Sequence, residues 1–222
     1  MTEHQSSKAA GTSKIRELFA MSYQPSAMSQ RGFTLIELAI VLVIIGIIIG
    51  AVLKGQDLID NARHKKLIAE TKQWETLTWA YYDRKGRFPG DSDKNGIIDA
   101  NVKADIQNAK FVNEPTVPLT IGSYSFYIFL GGNATDKRNA IVVCTTGDCN
   151  PTSVSDEELN YLISIDSSID GVENKGTGIV RSGTGFTANS ATWTVTGWTV
   201  DNSSGDWTSA TKGLLYYFDK KP

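Results

Sequence analysis

The chain has 222 residues, with 22 basic and 24 acidic side chains and a formal net charge of −2 at pH 7. This fits one ordinary domain with an appendage and argues against a multidomain enzyme. Without a basic excess, the composition gives no indication of nucleic-acid binding. Two cysteines and two histidines argue against a four-thiolate zinc site or an imidazole-rich metal site. Any metal ion would therefore be bound by oxygen.

One segment departs strongly from the average composition. Residues 33–53 carry a single charge, Glu37, and 15 of these 21 residues are Phe, Leu, Ile or Val. As a helix, the segment spans about 31 Å, close to the hydrocarbon thickness of a bilayer. Inserting its large apolar side chains contributes roughly −5 to −9 kcal/mol, against roughly 2 to 3 kcal/mol for one acid. The segment therefore predicts a membrane helix.

The residues before this segment do not follow the order of a secretory signal, in which a small-residue cleavage site comes after the apolar stretch. Here Gly32 follows Arg31 and precedes the apolar run. Cleavage after Gly32 would leave the apolar run attached to the mature chain.

Residues 31–37 read Arg-Gly-Phe-Thr-Leu-Ile-Glu and lead directly into the apolar run. This pattern resembles the type IV prepilin signature shared by pilins and type II secretion pseudopilins. The resemblance implies that a prepilin peptidase removes residues 1–32 by cleaving between Gly32 and Phe33, and that the new amine of Phe33 is methylated. Because the resembling pattern at Phe33 belongs with short leaders, Met28 is a candidate for the true start, with residues 1–27 then unstructured or untranslated; Met1 and Met21 are the alternatives.

Glu37 is an acid inside an apolar helix, a position where ionisable residues are costly and usually functional. The resemblance implies that its carboxylate pairs with the N-terminal amine of a neighbouring subunit during assembly. The alternative is an acid in the first helical turn, where the helix dipole favours negative charge.

The apolar pattern becomes amphipathic over residues 54–88, which predicts one helix from Phe33 to about Tyr82 whose second half packs on a soluble domain. No proline interrupts the chain between Gln30 and Phe88. The apolar positions expected to face that domain are Leu58, Ile59, Ala62, Leu67, Ile68, Trp74, Leu77 and Tyr81.

Residues 89–222 predict a globular head after a turn at residues 87–91. Strands are predicted at residues 123–130, 140–144, 192–196 and 213–218, with a loop at residues 131–133. A capping-box pattern at Ser155 predicts a short helix through Ile163, and residues 166–171 predict a turn. The whole indicates an α+β fold, a long N-terminal helix on a small antiparallel sheet, which the pilin resemblance also implies.

Residues 91–99 match the first nine positions of an EF-hand-type calcium loop, although Val102 stands where a bidentate acid is expected. If calcium binds, the ligands are the side chains of Asp91, Asp93, Asn95 and Asp99 and the carbonyl of Ile97. An Asp/Asn/Gly-rich turn without metal is the alternative.

Cys144 and Cys149 enclose a short loop. Because export would place them in an oxidising compartment, we expect a disulfide, with two free thiols as the alternative.

Aromatic residues at helical or strand spacing form either a hydrophobic core or, less often, a ligand platform. They are Trp74, Trp79, Tyr81, Tyr82, Trp193, Trp198 and Trp207.

No catalytic constellation is evident. His64 lies beside Lys65 and Lys66, which predicts a solvated face rather than a partner for a serine nucleophile.

We therefore expect a non-enzymatic filament subunit, held in the bacterial inner membrane with its head in the periplasm and later assembled into a periplasmic or cell-surface filament. The expected partners are other pilins or pseudopilins, the prepilin peptidase and methyltransferase, and an inner-membrane assembly platform. A single-pass, membrane-anchored periplasmic binding protein is the main alternative, and an anchored hydrolase is a third. Cleavage after Gly32 distinguishes the filament subunit from the membrane-anchored binding protein.

Overall fold

A computed structural model describes residues 32–219; the predicted leader before Gly32 lies outside the described residues. Three helices and eight strands form an α+β fold, as predicted. The helices are α1 (Leu35–Lys85), α2 (Val102–Ala109) and α3 (Asp156–Asp170). The strands are β1 (Leu119–Ile121), β2 (Tyr124–Asn133), β3 (Arg138–Cys144), β4 (Val180–Thr184), β5 (Thr187–Asn189), β6 (Thr194–Thr196), β7 (Thr199–Val200) and β8 (Gly213–Tyr216).

The chain divides into two compact units after Gly50. Because this division falls within α1, the first part of the helix lies in one unit and the rest in the other. In the second unit, the buried face of α1 begins at Leu67 and continues through Trp74 and Leu77. The prediction that Leu58 and Ile59 also pack on the head is wrong, since they are 64% and 54% exposed. Packing starts later because the described head approaches α1 first at Arg63, whose guanidinium lies beside Gly122, and at His64.

The end of α1 is fixed by Gly86. Its φ of +68° is a left-handed conformation that glycine adopts without strain, and its N–H donates to the carbonyl of Tyr82 at 2.7 Å. The helix therefore ends at Lys85, one turn beyond the predicted end. The predicted turn at residues 87–91 is confirmed, with the N–H of Asp91 donating to the carbonyl of Phe88 at 3.2 Å.

The eight-stranded sheet has the order β5-β6-β2-β3-β8-β4-β7, with β1 paired to β2. Most neighbours are antiparallel, as predicted, but β2 and β6 are parallel. The sheet is therefore mixed rather than purely antiparallel.

The two ends of this sheet are halves of one bent hairpin. Gly183 lies opposite Val200 in the β4–β7 ladder, and Thr187 lies opposite Thr196 in the β5–β6 ladder, so the register continues unchanged from one ladder to the other. Only Gly185 and Phe186 separate β4 from β5 in the chain, and only Gly197 and Trp198 separate β6 from β7. The sheet consequently curls back on itself.

Alternate residues of the curled sheet face two separate hydrophobic clusters. One cluster joins the outer face, including Ile141 and Leu214, to the helices through Leu67, Trp74 and Leu162. The other contains only residues of strands and their connections, namely Phe129, Ala140, Val142, Cys144, Cys149, Phe186, Val195, Trp198, Leu215 and Tyr217. The strands are therefore apolar on both faces, as sheets covered on both sides are.

The predicted loop at residues 131–133 is wrong, because these residues complete β2. A Cβ on Gly131 would overlap the carbonyl oxygen of Val195, and one on Gly132 would lie 2.7 Å from the backbone nitrogen of Ile98. Both glycines therefore serve the close approach of neighbouring backbone rather than a turn. The connection to β3 comes later, at residues 134–137.

Helix α3 begins as predicted, with the full capping box between Ser155 and Glu158. It is longer than predicted, because residues 166–170 form its last turns and Gly171 ends it with φ +77°. The predicted turn at residues 166–171 is therefore wrong except at its final residue.

The expected disulfide between Cys144 and Cys149 is present. Both residues are buried in the second hydrophobic cluster, the one that contains no helix residues.

The aromatic residues are mainly core, since Trp74, Tyr81, Trp193, Trp198 and Trp207 are all less than 9% exposed. Trp79 and Tyr82 are the exceptions, at 37% and 40% exposure.

We expect Gly131→Ala to lower the unfolding free energy by at least about 3 kcal/mol, because the new Cβ would force β6 away from β2. Urea unfolding followed by near-UV circular dichroism measures the loss. Gly55→Ala is the matched control: its Cβ meets nothing within 4 Å, and alanine is the better helix former by about 1 kcal/mol. Equal stability of the Gly131 variant and the parent would contradict this packing.

Candidate functional site

The first turn of α1 is closed by Thr34 and Glu37. The Glu37 carboxylate accepts hydrogen bonds from the backbone N–H and the hydroxyl of Thr34, both at 2.9 Å. The N–H of Glu37 in turn donates to the Thr34 hydroxyl oxygen at 3.2 Å. This reciprocal pair of hydrogen bonds is a capping box. Within one chain, Glu37 therefore accepts from a backbone N–H at the start of α1 that would otherwise lack a partner.

Thr34 is a residue of this site that the expectations from the sequence do not include. The signal was nevertheless present, because Thr-x-x-Glu before an apolar run is the capping-box pattern.

The apolar run that follows has no partner within the described chain. Every Leu, Ile and Val from Leu35 to Leu53 is between 45% and 88% exposed. Within residues 32–219, α1 is the one helix long and apolar enough to cross a membrane, with a mean hydropathy of 3.0 in its most apolar window. Side chains of this kind need lipid or other helices around them.

The predicted calcium loop brings together three of its five proposed ligands. Asp91, only 2% exposed, accepts hydrogen bonds from the N–H groups of Asn95 and Gly96, both at 3.1 Å. Asp93 accepts from the side-chain amide of Asn95 at 2.7 Å, and the N–H of Ile97 donates to the side-chain oxygen Oδ1 of Asn95, also at 2.7 Å. The loop thus holds its shape through its own hydrogen bonds.

Asp99 is exposed and lines a separate polar depression with Asn101 and the threonines of β5 and β6. Among the described residues, no group of three or more His, Cys, Asp or Glu side chains is arranged to hold a metal ion. Asp91, Asp93 and Asn95 nevertheless present the oxygen donors that a hard cation prefers. Calcium binding stays a prediction.

Asn139, at the start of β3, fixes the loop to the sheet. It is fully buried, its side-chain oxygen Oδ1 accepts from the N–H of Ile98 at 2.9 Å, and its side-chain Nδ2 donates to the carbonyl of Gly96 at 2.7 Å. No local sequence pattern predicts this role, because the partners are more than 40 residues apart in the chain.

Arg87 and Asp105 hold the other side of the loop. The guanidinium donates to both carboxylate oxygens, at 2.7 and 3.0 Å, and also to the carbonyl of Asp91 at 2.9 Å. Burial acts to raise the pKa of Asp105, but hydrogen bonds from Arg87 and from the N–H of Gly90 outweigh it, so this pKa is lowered. The ion pair ties α2 to the turn after α1.

His64 does not lie on a solvated face as predicted. Its ring stacks on Tyr161 with centroids 4.3 Å apart, and Nδ1 lies 3.2 Å from the hydroxyl oxygen of Ser164. The Ser164 hydroxyl donates to the carbonyl of Tyr161 at 2.6 Å, so its proton points away from the imidazole. Burial lowers the pKa of His64. The contact joins α1 to α3 and does not form a nucleophile and base.

Two aspartates near the end of α3 anchor the following loop. Asp166 is fully buried and accepts from the indole N–H of Trp207 and the N–H of Asn174, both at 2.8 Å. Asp170 accepts from the N–H of Val180 at 2.9 Å. Burial raises the pKa of Asp166 despite its hydrogen bonds. Asp166 and Asp170 therefore have a structural role, which the turn expected at residues 166–171 does not include.

Residues 27–53 match the family described as the prokaryotic N-terminal methylation motif. The chain therefore carries the prepilin-type signature at the position where the capping box and the exposed apolar helix lie. The motif indicates a prepilin-processed protein of the type IV pilin or pseudopilin kind, anchored through its N-terminal helix. This class of proteins consists of structural subunits rather than enzymes. No curated protein and no solved structure matches the chain significantly.

If calcium binds this loop, the detergent-solubilised chain releases or absorbs heat when titrated with calcium, and Asp93→Ala abolishes the signal; a turn without metal gives no heat in either chain. Asp206→Ala is the control, because Asp206 is an exposed acid of the head outside the loop. Isothermal titration calorimetry measures both. If the parent gives no heat, or if the Asp93 variant binds as well as the parent, the calcium prediction fails.

We expect Asp105→Asn to lower the unfolding free energy by roughly 1 to 3 kcal/mol at neutral pH, because a charge-assisted bidentate pair is lost. A carboxyl whose pKa is lowered by folding stabilises the protein above its unfolded pKa, near the ordinary 3.8. That stabilisation is lost as pH falls through the lowered folded value. The difference between parent and variant should therefore shrink below about pH 4.

Denaturant unfolding across the acid range measures this difference, with Asp206→Asn as the control for removing an exposed charge. A difference between the parent and the Asp105 variant that stays constant with pH would contradict the assigned ion pair.

Proposed function

We propose that the protein is a structural subunit of a type IV pilus-like filament or a type II secretion pseudopilus. The observation that carries the proposal is the prepilin-type motif at residues 27–53, placed on a helix whose apolar side chains are unburied within the described chain. In the membrane, lipid covers these side chains. In a filament, the equivalent helices of other subunits cover them.

In this proposal, the prepilin peptidase cleaves between Gly32 and Phe33, and the new amine of Phe33 is methylated. Gly32 is exposed and precedes the first helical turn, a position that favours access by a peptidase. The inner-membrane assembly platform then transfers the processed subunit from the bilayer into a filament with itself or with other pilins or pseudopilins.

The disulfide supports a head that faces the periplasm. Cysteine pairs persist in oxidising compartments and are rare in the bacterial cytosol. The buried pair Cys144–Cys149 therefore fits a head on the periplasmic side of the inner membrane, and later in a periplasmic or cell-surface filament.

Glu37 has two successive partners in this proposal. In the single subunit, its carboxylate caps the helix through Thr34. During assembly, it exchanges this contact for the amine of Phe33 in a neighbouring subunit, which neutralises both charges in an apolar environment. An acid that already has a local partner costs less to hold near the membrane than an unpaired one.

We expect Gly32→Val to block processing, because the bulky β-branched side chain would occupy the cleavage position. In cells that contain a prepilin peptidase, mass spectrometry should find methylated Phe33 at the N-terminus of the parent and an intact precursor for the variant. Gly46→Ala is the control, since its Cβ has free space and lies beyond the cleavage position. An uncleaved parent would favour the alternative of a membrane-anchored binding protein.

We expect Glu37→Gln to be processed normally but to assemble at least about tenfold less filament, because a missing ion pair in an apolar core costs more than 1.4 kcal/mol. The glutamine retains a carbonyl oxygen that can cap Thr34, so the variant removes the charge and keeps the cap. Thr34→Ser retains both and serves as the control. Shearing or fractionation followed by immunoblotting measures the assembled subunit, and normal filaments from the Glu37 variant would overturn the assigned role.

A further inference from the structure

A short stretch of α1, residues 54–66, follows the apolar run and is here named the juxtamembrane segment. Its apolar residues Leu58 and Ile59 are 64% and 54% exposed, and Ala62 is also exposed. The first buried residue of α1 is Leu67. The apolar side chains of the segment therefore have no cover within the described chain.

The same segment is basic. It contains Lys54, Arg63, Lys65 and Lys66 against Asp57 and Asp60, whereas the whole chain has a formal charge of −2. Arg63 pairs with Asp60 at 2.9 Å. Within residues 32–219, none of the three lysines takes part in a salt bridge. The segment thus carries uncompensated positive charge.

The positive and apolar side chains share one half of the helix. Successive residues are rotated by about 100°, which places Lys54, Leu58, Ile59, Ala62, Arg63, Lys65 and Lys66 on one half of the circumference. Asp57, Asp60 and His64 lie on the other half, and His64 contacts Tyr161 and Ser164 of the head. The acids therefore lie away from the half that is apolar and basic. The head approaches that half only at its edge, where the Arg63 guanidinium lies beside Gly122.

The distances along the helix match the layers of a bilayer. From Leu35 through Ile59 the helix measures about 37 Å, longer than the roughly 30 Å of hydrocarbon, and tilting accommodates such an excess. Lys65 and Lys66 follow Ile59 by about 9 to 10 Å, and a headgroup layer is roughly 5 to 8 Å thick. With Ile59 at the hydrocarbon boundary of a tilted helix, these two cations lie near the level of the phosphates. Lys54 and Asp57 then lie up to about 8 Å below the boundary, and the long side chain of Lys54 extends towards the headgroups.

We propose that the juxtamembrane segment binds the headgroups of acidic phospholipids while the chain is anchored in the bilayer. Leu58, Ile59 and Ala62 face the acyl boundary, and Lys65 and Lys66 contact the phosphates. A second copy offering the same segment would bring like charges together, which favours lipid as the occupant. The proposal requires membrane anchoring but not filament assembly.

The test uses the full-length chain reconstituted at low density in vesicles of phosphatidylcholine, with or without phosphatidylglycerol. A spin label on Ala62→Cys reports whether the position is in contact with lipid-soluble oxygen or with a water-soluble nickel complex. The native cysteines are both in the disulfide, so the label is specific. A label on Thr76→Cys, an exposed position of the same helix, is the control site.

We expect the label at position 62 to be seated in the membrane when acidic lipid is present, and the label at position 76 to remain in water. Lys65→Gln with Lys66→Gln should lower the ratio of membrane-seated to water-exposed label by about 25-fold, because each cation contributes roughly fivefold near an acidic surface. Lys94→Gln with Lys137→Gln removes two exposed head lysines and should leave the ratio unchanged.

The proposal is overturned if the label at position 62 is equally exposed to water in both kinds of vesicle, or if the two lysine pairs have the same effect. Shielding that appears only at high protein density would assign the surface to a second copy instead. Processing at Gly32 and assembly through Glu37 are measured separately, so failure here is distinguishable from failure of the filament proposal.

Discussion

Helix α1 carries an apolar run that the chain cannot bury by itself. Its Leu, Ile and Val side chains remain exposed from Leu35 to Leu53, and covering each one fully contributes about 1.5 to 3 kcal/mol. This surface must therefore be covered by lipid or by other protein, and the remaining features fit that requirement. The Thr34–Glu37 capping box closes the helix terminus that bears the acid, and the first residue of α1 that the head buries is Leu67.

The head gains its stability from two clusters built on the same strands. Ile141 and Leu214 face the helices, whereas their neighbours Val142 and Leu215 face the inside of the curl. The bent hairpin makes the second cluster possible, since it brings Phe186 and Trp198 over the inner face. Loops held by Asn139, Asp105 and Asp166 then cover this framework, each through a buried or partly buried polar side chain.

The features predicted best from the sequence were those with a local cause. The long helix follows from apolar periodicity, the start of α3 from the capping box at Ser155, and the disulfide from two closely spaced cysteines. The sequence misled at residues 131–133, because glycine signals a turn more often than a close approach of distant backbone such as that of Val195. The roles of His64 and Asn139 were not predictable, because their partners lie far away in the chain.

In the proposed filament, the curl of the sheet would also limit how neighbouring heads recognise one another. Within residues 32–219, β1, β5 and β7 each have a single strand partner, and they are three, three and two residues long. Long free edges invite strand-to-strand association between any two chains, whereas short ones do not. In that filament, copies would distinguish one another by the shape and charge of their side chains, so substitutions on the head surface would change the choice of neighbour without disturbing the fold.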